Sequence, residues 1–316
     1  MKTGLCIVCL VLGVSAPLLR AEDTIRTLED IDAFAADTTP RKIPFEIAGH
    51  VLSVFTGPKR SGVVLESGSG IRAELYRFLE DEQPSPGDTI KADGIAFMDK
   101  LHEPYLHITE FEVLEKGRPP EPVPVRLSDA NPNAHNLLTI RTEGVVIDAV
   151  PDEIDSRYTI LLLKDGGAIV PVPLPLSIFG DQSGLVNATV RVTGTYRRWI
   201  SGVRKFSWPN IQPQEPRDIK VLAPPPADPF AFPRLGTRFY QTPEDVMMMS
   251  KRTVVGEVLA TWAGNQAMVK TDSNLIVNIE LANGTTLPRC GETIIAAGLP
   301  ETDLLRINFS VKFIRL

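Results

Sequence analysis

Cysteine is scarce in this chain, with three in 316 residues, and two of them, Cys6 and Cys9, fall in an apolar stretch at the very start. With Cys290 alone beyond that stretch, the body of the protein cannot form an internal disulfide framework. Histidine is nearly as rare, at four (His50, His102, His107 and His135), and no Cys-x-x-Cys or His-Glu-x-x-His spacing accompanies it. A clustered metal centre therefore has no set of ligands to draw on. No Gly-x-Ser-x-Gly elbow offers an activated serine, and no glycine-rich loop leads into a helical pattern, so nucleotide-binding folds of the usual kind are excluded. After residue 21 no apolar run approaches the roughly 20 residues that a membrane-crossing helix needs.

The first 21 residues read as a signal peptide. Lys2 supplies the positive start, residues 5–16 are almost unbroken apolar sequence, and Ala21 offers a small residue before Glu22 and Asp23. Cleavage near Ala21 sends the chain to the periplasm or outside a bacterial cell, and the absence of a disulfide framework suits an envelope protein of domain size. The remaining chain holds 31 basic and 39 acidic residues, a net charge of −8. Generalised nucleic-acid binding rests on neutralising phosphates with Lys and Arg, so this balance argues against it.

What the sequence does have is a pattern used three times. An apolar strand with a central glycine recurs at residues 46–55 around Gly49, 141–150 around Gly144 and 253–262 around Gly256. A second strand runs into Gly94, Gly194 and Gly298. Between these anchors each copy offers a hairpin, at 62–76, 158–176 and 266–281, and after them a closing strand, at 105–114, 205–211 and 305–314. Glycine weakens a strand unless the backbone must bend or approach another chain closely, and small barrels need such corners. Five strands in this order give an all-β expectation: three consecutive small five-stranded OB-like Greek-key barrels joined by proline-rich linkers. An SH3-like barrel or a sandwich is the alternative. The expected units span 41–118, 136–222 and 251–316. An N-terminal segment with a short helix occupies 22–40, a linker 119–135, and a proline-rich strap with a short helix 223–250.

Two local signals sharpen this plan. In the middle copy Pro171, Pro173 and Pro175 alternate with Val170, Val172, Leu174 and Leu176. Alternate amides of an extended strand point to one side, so the three missing N–H groups fall on one edge, and this strand should border an open seam. Helix is expected in two short places: 27–34, where Thr27 and Asp30 make a capping box, and from Thr242 with Pro243 at the first helical position. The eight prolines within 209–233 point to an extended strap packed along its neighbours.

Chemistry-bearing residues are few. The acidic runs at 80–82 and 151–155 fall in expected loops and read as solvated charge, so no catalytic pair is assigned. Ser69 lies in a hairpin turn, Cys290 reads as a small buried hydrophobe, and neither a cofactor nor a metal is implied. One constellation stands out: Tyr196, Arg197, Arg198 and Trp199, then after a turn Arg204, Lys205, Phe206 and Trp208. Four aromatics and four bases on one strand pair suit sugars, bases or a partner peptide. The alternative is that Tyr196 and one Trp fill the core while the bases are solvated.

Residues 221–233, with Ala227-Asp228-Pro229-Phe230, followed by Val254-Val255-Gly256-Glu257-Val258, resemble the N-terminal extracytoplasmic region of bacterial hybrid sensor histidine kinases of verrucomicrobial and acidobacterial type. The resemblance implies a periplasmic, non-catalytic input module of a two-component system, and it carries over no functional residue. This chain ends on its last strand where such proteins continue into a membrane helix and kinase. The function read from the sequence is thus an exported binding or sensory module for a small ligand, a glycan or an envelope protein. An oligonucleotide or anionic-glycan binder and a hydrolase with an unlocated acid pair are the rivals.

Overall fold

The computed structural model describes residues 24–56, 61–77, 83–98, 104–201, 204–236, 242–262, 264–282, 285–302 and 307–315, with the side chains of 199–208 and 312–313 set aside. The signal-peptide reading lies outside the described residues, as do His102 and the acidic run 80–82. The chain is mostly β, and its strands fall into three sheets.

The first sheet comprises β1 (Arg41–Thr56), β2 (Ser61–Glu66), β3 (Arg72–Arg77), β4 (Thr89–Met98) and β5 (Pro104–Glu115), closed in the order β1-β2-β3-β5-β4. The second comprises β6 (Val123–Pro124), β7 (Thr139–Pro151), β8 (Tyr158–Asp165), β9 (Ala168–Pro175), β10 (Thr189–Ser201), β11 (Arg204–Gln212) and β12 (Ile219–Ala223). The third repeats the first: β13 (Arg252–Trp262), β14 (Gln266–Thr271), β15 (Ile276–Leu281), β16 (Thr293–Thr302) and β17 (Ile307–Arg315), closed in the order β13-β14-β15-β17-β16. Each closure is made by a parallel pair, β3 with β5 and β15 with β17.

The repeated glycines occupy the same register in all three units. Gly49 pairs with Ile90, Gly144 with Val190 and Gly256 with Ile294, while Gly94 pairs with Phe45, Gly194 with Ile140 and Gly298 with Arg252. In every copy the partner of the second glycine lies four residues before the first. Their reason is close approach. A Cβ on Gly256 would sit 2.3 Å from the Lys270 carbonyl oxygen of the following strand, and one on Gly298 would sit 2.2 Å from the Ser310 carbonyl oxygen of the closing strand. Three residues beyond the first glycine each long strand also has a register shift, at Leu52, Ile147 and Leu259. A bulge there bends the strand from one side of the unit to the other.

The middle unit departs from the expected five-stranded barrel. Its sheet runs β11-β10-β7-β8-β9, with β12 added to β10 and β6 to β7, giving seven strands. No strand pair joins β9 to β11, as β3 joins β5 in the first unit. Pro171, Pro173 and Pro175 have no N–H to donate, and β9 ends the sheet where the sequence placed the seam, its alternate residues Val170, Val172 and Leu174 pairing across β8. Leu176 donates its N–H to the Arg157 carbonyl 2.8 Å away, just past the strand end.

Each unit has its own core. In the first, Ile31 and Phe34 from α1 (Glu29–Ala36) join Ile47, Leu65, Leu75 and Ile90. The helix starts as expected, with the Asp30 N–H donating to Thr27 Oγ1 and the Thr27 N–H to Asp30 Oδ2. A four-residue helix α2 (Leu176–Phe179) places Phe179 in the second core, and Leu127, from the stretch read as a linker, packs there too. The stretch read as the proline strap begins inside β11, and it includes β12 before reaching Arg234, which bridges to Thr253 of the third unit. Helix α3 (Pro243–Met247) begins at Pro243 as expected and adds a capping box of Thr242 and Asp245, and its Met247 carbonyl accepts from Lys164 of the second unit. Burial holds the Lys164 ammonium below its ordinary pKa. Cys290 is exposed, contrary to its reading as a buried hydrophobe, because it lies in the turn before β16 and not on an inward strand position.

Candidate aromatic surface at the junction of the first two units

The sequence pointed to the β10–β11 hairpin, and the two-residue period of β10 divides its residues. Val190, Val192 and Tyr196 point inward, and the Tyr196 phenol, 1% exposed, belongs to the second core. Burial raises its pKa. It therefore fills the core and is withdrawn from any surface. Thr195 and Arg197 face the other way, onto the first unit. Arg198 lies at the rim of an open hollow of about 400 Å³ with Pro132, Asn133 and Pro209, its N–H donating to Asn136 Oδ1 at 3.2 Å. Trp199 pairs with Trp208 and Ser201 with Arg204 along the strands. The side chains of Trp199, Arg204, Lys205, Phe206 and Trp208 lie outside the described residues.

Arg197 is engaged within the protein. Its Nη2 donates to Glu74 of β3, its Nη1 donates to Gln212 Oε1 at 2.7 Å, and its guanidinium stands 5.4 Å from the Phe55 ring centre. Burial alone would lower its pKa, but Glu74 and Tyr76 beside it hold the charge and raise it. Around this ion pair the second unit covers the outward side of β1, β2 and β3. Thr195 Oγ1 donates to Ser53 Oγ at 3.1 Å, and Arg72 Nη1 donates to the Asn136 carbonyl at 2.8 Å. Val64, with no exposed surface, packs with Leu52 and Leu137.

Beside this junction lies a row of aromatic rings that the sequence reading missed. Tyr76 Oη–H donates to Glu74 Oε2 at 2.8 Å, and the Tyr76 ring meets Phe55 edge-on at 5.6 Å. On its other side it stacks on Tyr105 at 4.7 Å with the planes 8° apart. Tyr105 lies nearly parallel to His107 at 6.4 Å, and Phe97 follows at 6.3 Å with Lys42 Nζ 5.0 Å from its centre. All five rings are half-buried.

The register explains the assembly. Phe55 pairs with Gly62, Gly62 with Tyr76, Tyr76 with His107, Phe97 with Tyr105, and Lys42 with Phe97, so residues from all five strands of the first unit meet on adjoining rungs of the outward face. Gly62 is part of it, since a Cβ there would lie 2.5 Å from the Phe55 ring and 2.4 Å from the Leu75 carbonyl oxygen. Further along the same face come Glu46, Asp93, Glu110 and Glu112, with Lys91 bound to Glu46 at 2.7 Å. Tyr105 and His107, two apart on one strand, were the legible fragment of this surface. Its other members come from three separate segments that only the pairing unites. Among the described residues no group of three or more His, Cys, Asp or Glu side chains could hold a metal ion, and no helix is long and apolar enough to cross a membrane.

No protein-family model matches the chain, and no curated protein matches it either. Solved structures do. Asparaginyl-tRNA synthetase from Pyrococcus horikoshii is 14% identical over 34% of this chain and 24% of its own, with a TM-score of 0.26. The tetrameric p202 HIN2 structure is 12% identical over 58% of this chain and 92% of its own, with a TM-score of 0.29. A murine DNA-binding protein bound with double-stranded DNA is 9% identical over 58% and 99%, with a TM-score of 0.30. The aligned part amounts to about a quarter of the synthetase.

Proposed function

We propose that this chain is an exported, non-catalytic binding or sensory module of the bacterial cell envelope, made of three OB-like units and presenting a ligand surface on the first. The observation that carries the reading is the aromatic row itself. Five half-buried rings from Phe55 to Phe97 are held together on paired strands of the first unit. Rings on rigid strands lose little freedom when a ligand lies on them, which suits recognition. The resemblance of residues 221–233 and 254–258 to sensor-kinase input regions supports the sensory half of the reading, and the apolar N-terminus supports export.

The test is a thermal-shift screen of the chain without residues 1–21 against glycans, peptides and small anions. A concentration-dependent rise in Tm with at least one class, abolished by Tyr105→Ala, is expected; a flat response across the whole panel counts against the proposal. The oligonucleotide reading draws on Arg198 at its open hollow, but Arg197 is neutralised by Glu74. Fluorescence anisotropy with single-stranded DNA tests it, since absence of binding even at low salt removes it.

A further inference from the structure

We infer that the outward face of β13, β14 and β15 is a dimer contact, taken by the same face of a second copy of this chain. The inference is independent of the aromatic row on the first unit.

The first unit shows what this face does on the shared scaffold. There the bulge residue Leu52 and its neighbour Val64 pack on Leu137 of the second unit, and Leu52 is left 9% exposed. The third unit keeps an apolar pair at the matching positions, Leu259 and Met268, and Leu259 is 40% exposed. On the flanking rungs Trp262 is 37% exposed, and Ile276, where the first unit has Arg72, is 57% exposed. Single exposed apolar residues are ordinary on a protein surface, but a cluster on one side of a sheet marks a contact. This chain's own second unit cannot cover both faces in the same way, since the Leu137, Thr195 and Arg197 that cover the first unit are already engaged there.

The layout of charge selects a second copy. Lys270 and Glu257 share the rung at one end of the face, and Glu280 lies two rungs away at the other. Burial and the nearby Glu280 carboxylate raise the Glu301 pKa, so a cation arriving at that end relieves a like-charge contact. A copy turned about a two-fold axis that crosses the strands above Met268 lays the Lys270 end of each face on the Glu280 end of the other. The apolar residues then meet in the middle, and the same pairing of charges occurs twice. The contact is three strands wide and three rungs long, at the small end for protein interfaces, so it is weak and the monomer prevails in dilute solution.

Sedimentation equilibrium of the chain without residues 1–21, from about 5 to about 500 µM, tests this. The weight-average mass should climb from monomer toward dimer and no further, and Leu259→Lys should weaken the association roughly tenfold or more. Lys270→Glu and Glu280→Lys should each weaken it too, because like charges then face one another. Mixed in equal amounts, these two variants should associate about as tightly as the unchanged chain, since each meets its complement. Unfolding curves establish that every variant is folded. A monomer at every concentration overturns the inference, and so does a dimer that ignores Leu259→Lys or one whose charge variants gain nothing on mixing. Growth past the dimer also overturns it, because a two-fold contact closes on itself.

Discussion

The first and third units share strand order, glycine register and bulge position, yet the same outward face is sealed in one and half-exposed in the other. Position by position, Ser53, Val64 and Glu74 across β1, β2 and β3 correspond to Ala260, Met268 and Asn278 across β13, β14 and β15. In the first unit these three touch the second: Ser53 accepts from Thr195, Val64 packs on Leu137, and Glu74 pairs with Arg197. In the third, Asn278 donates to Asn308 of its own unit at 3.4 Å, and Ile276, Trp262 and Leu259 stand exposed around it. The scaffold thus fixes where a face lies, while a few outward residues decide whether it joins a neighbour or meets solvent. It follows that the outward side of the first unit left beside the junction lies on the adjoining β3, β5 and β4 rungs.

The largest break in this comparison comes from putting one charge at the two matching positions. Val64→Lys forces an ammonium into a fully buried contact, and the expected cost is about 4 kcal/mol or more. Met268→Lys, at the same register on the uncovered face, should change stability by no more than about 0.5 kcal/mol. Urea unfolding of the two variants reads the difference. Equal losses would mean that the third face is covered after all.

Removal of Glu74 comes next. Glu74→Ala leaves the Arg197 guanidinium buried beside Phe55 without its carboxylate, a change that costs about 3–5 kcal/mol for a buried pair. Replacing both partners, Glu74→Ala with Arg197→Met, should recover much of the loss, since the unpaired charge goes with it. The double-mutant cycle measures the coupling across the junction, and additive losses would show that the two side chains do not sense one another.

Much of the architecture was legible in the sequence because it depends on local spacing. Repeated strand glycines, alternating prolines and the Thr27–Asp30 capping box each announce a backbone geometry that the residue itself enforces. The second unit's extra strands were not legible, because Val123 and Ile219 join the sheet at its margins without an alternating run to mark them. The candidate surface was misplaced for a related reason. Tyr196 to Trp208 forms a dense string of aromatic and basic residues, but a strand sends neighbours to opposite sides, so Tyr196 entered the core and Arg197 the junction. The aromatic row is dispersed over four strands, and only pairing brings it together.

Gly62 sharpens the comparison at finer scale. Its counterpart in the third unit is Gln266, whose side chain accepts from Trp262 Nε1 at 2.6 Å, and Trp262 in turn matches Phe55. The same rung therefore carries a side chain where the ring stands off and none where Phe55 lies across the backbone. Gly62→Ala should cost about 1–3 kcal/mol through overpacking against Phe55 and the Leu75 carbonyl, and it should weaken any ligand response of the row. Gln266→Gly should cost no more than about 1 kcal/mol, chiefly from strand entropy. Chemical denaturation of both variants checks the contrast, and a harmless Gly62→Ala would show that Phe55 has room to move away.

A modest effect on stability is expected at the seam that distinguishes the middle unit from its two neighbours. Pro171→Val with Pro173→Val restores two N–H groups to the free edge of β9 at a cost of about 1 kcal/mol, through the greater freedom of the unfolded chain. Those amides have no strand partner in the sheet, so they should exchange quickly with deuterated solvent, and the exposed edge should produce self-association that grows with protein concentration. Slow exchange in a monomer would instead mean that β11 accepts from the new amides and closes the sheet. In that case the prolines alone keep the middle unit from becoming a third closed barrel, and its difference from the other two reduces to missing donors on one strand.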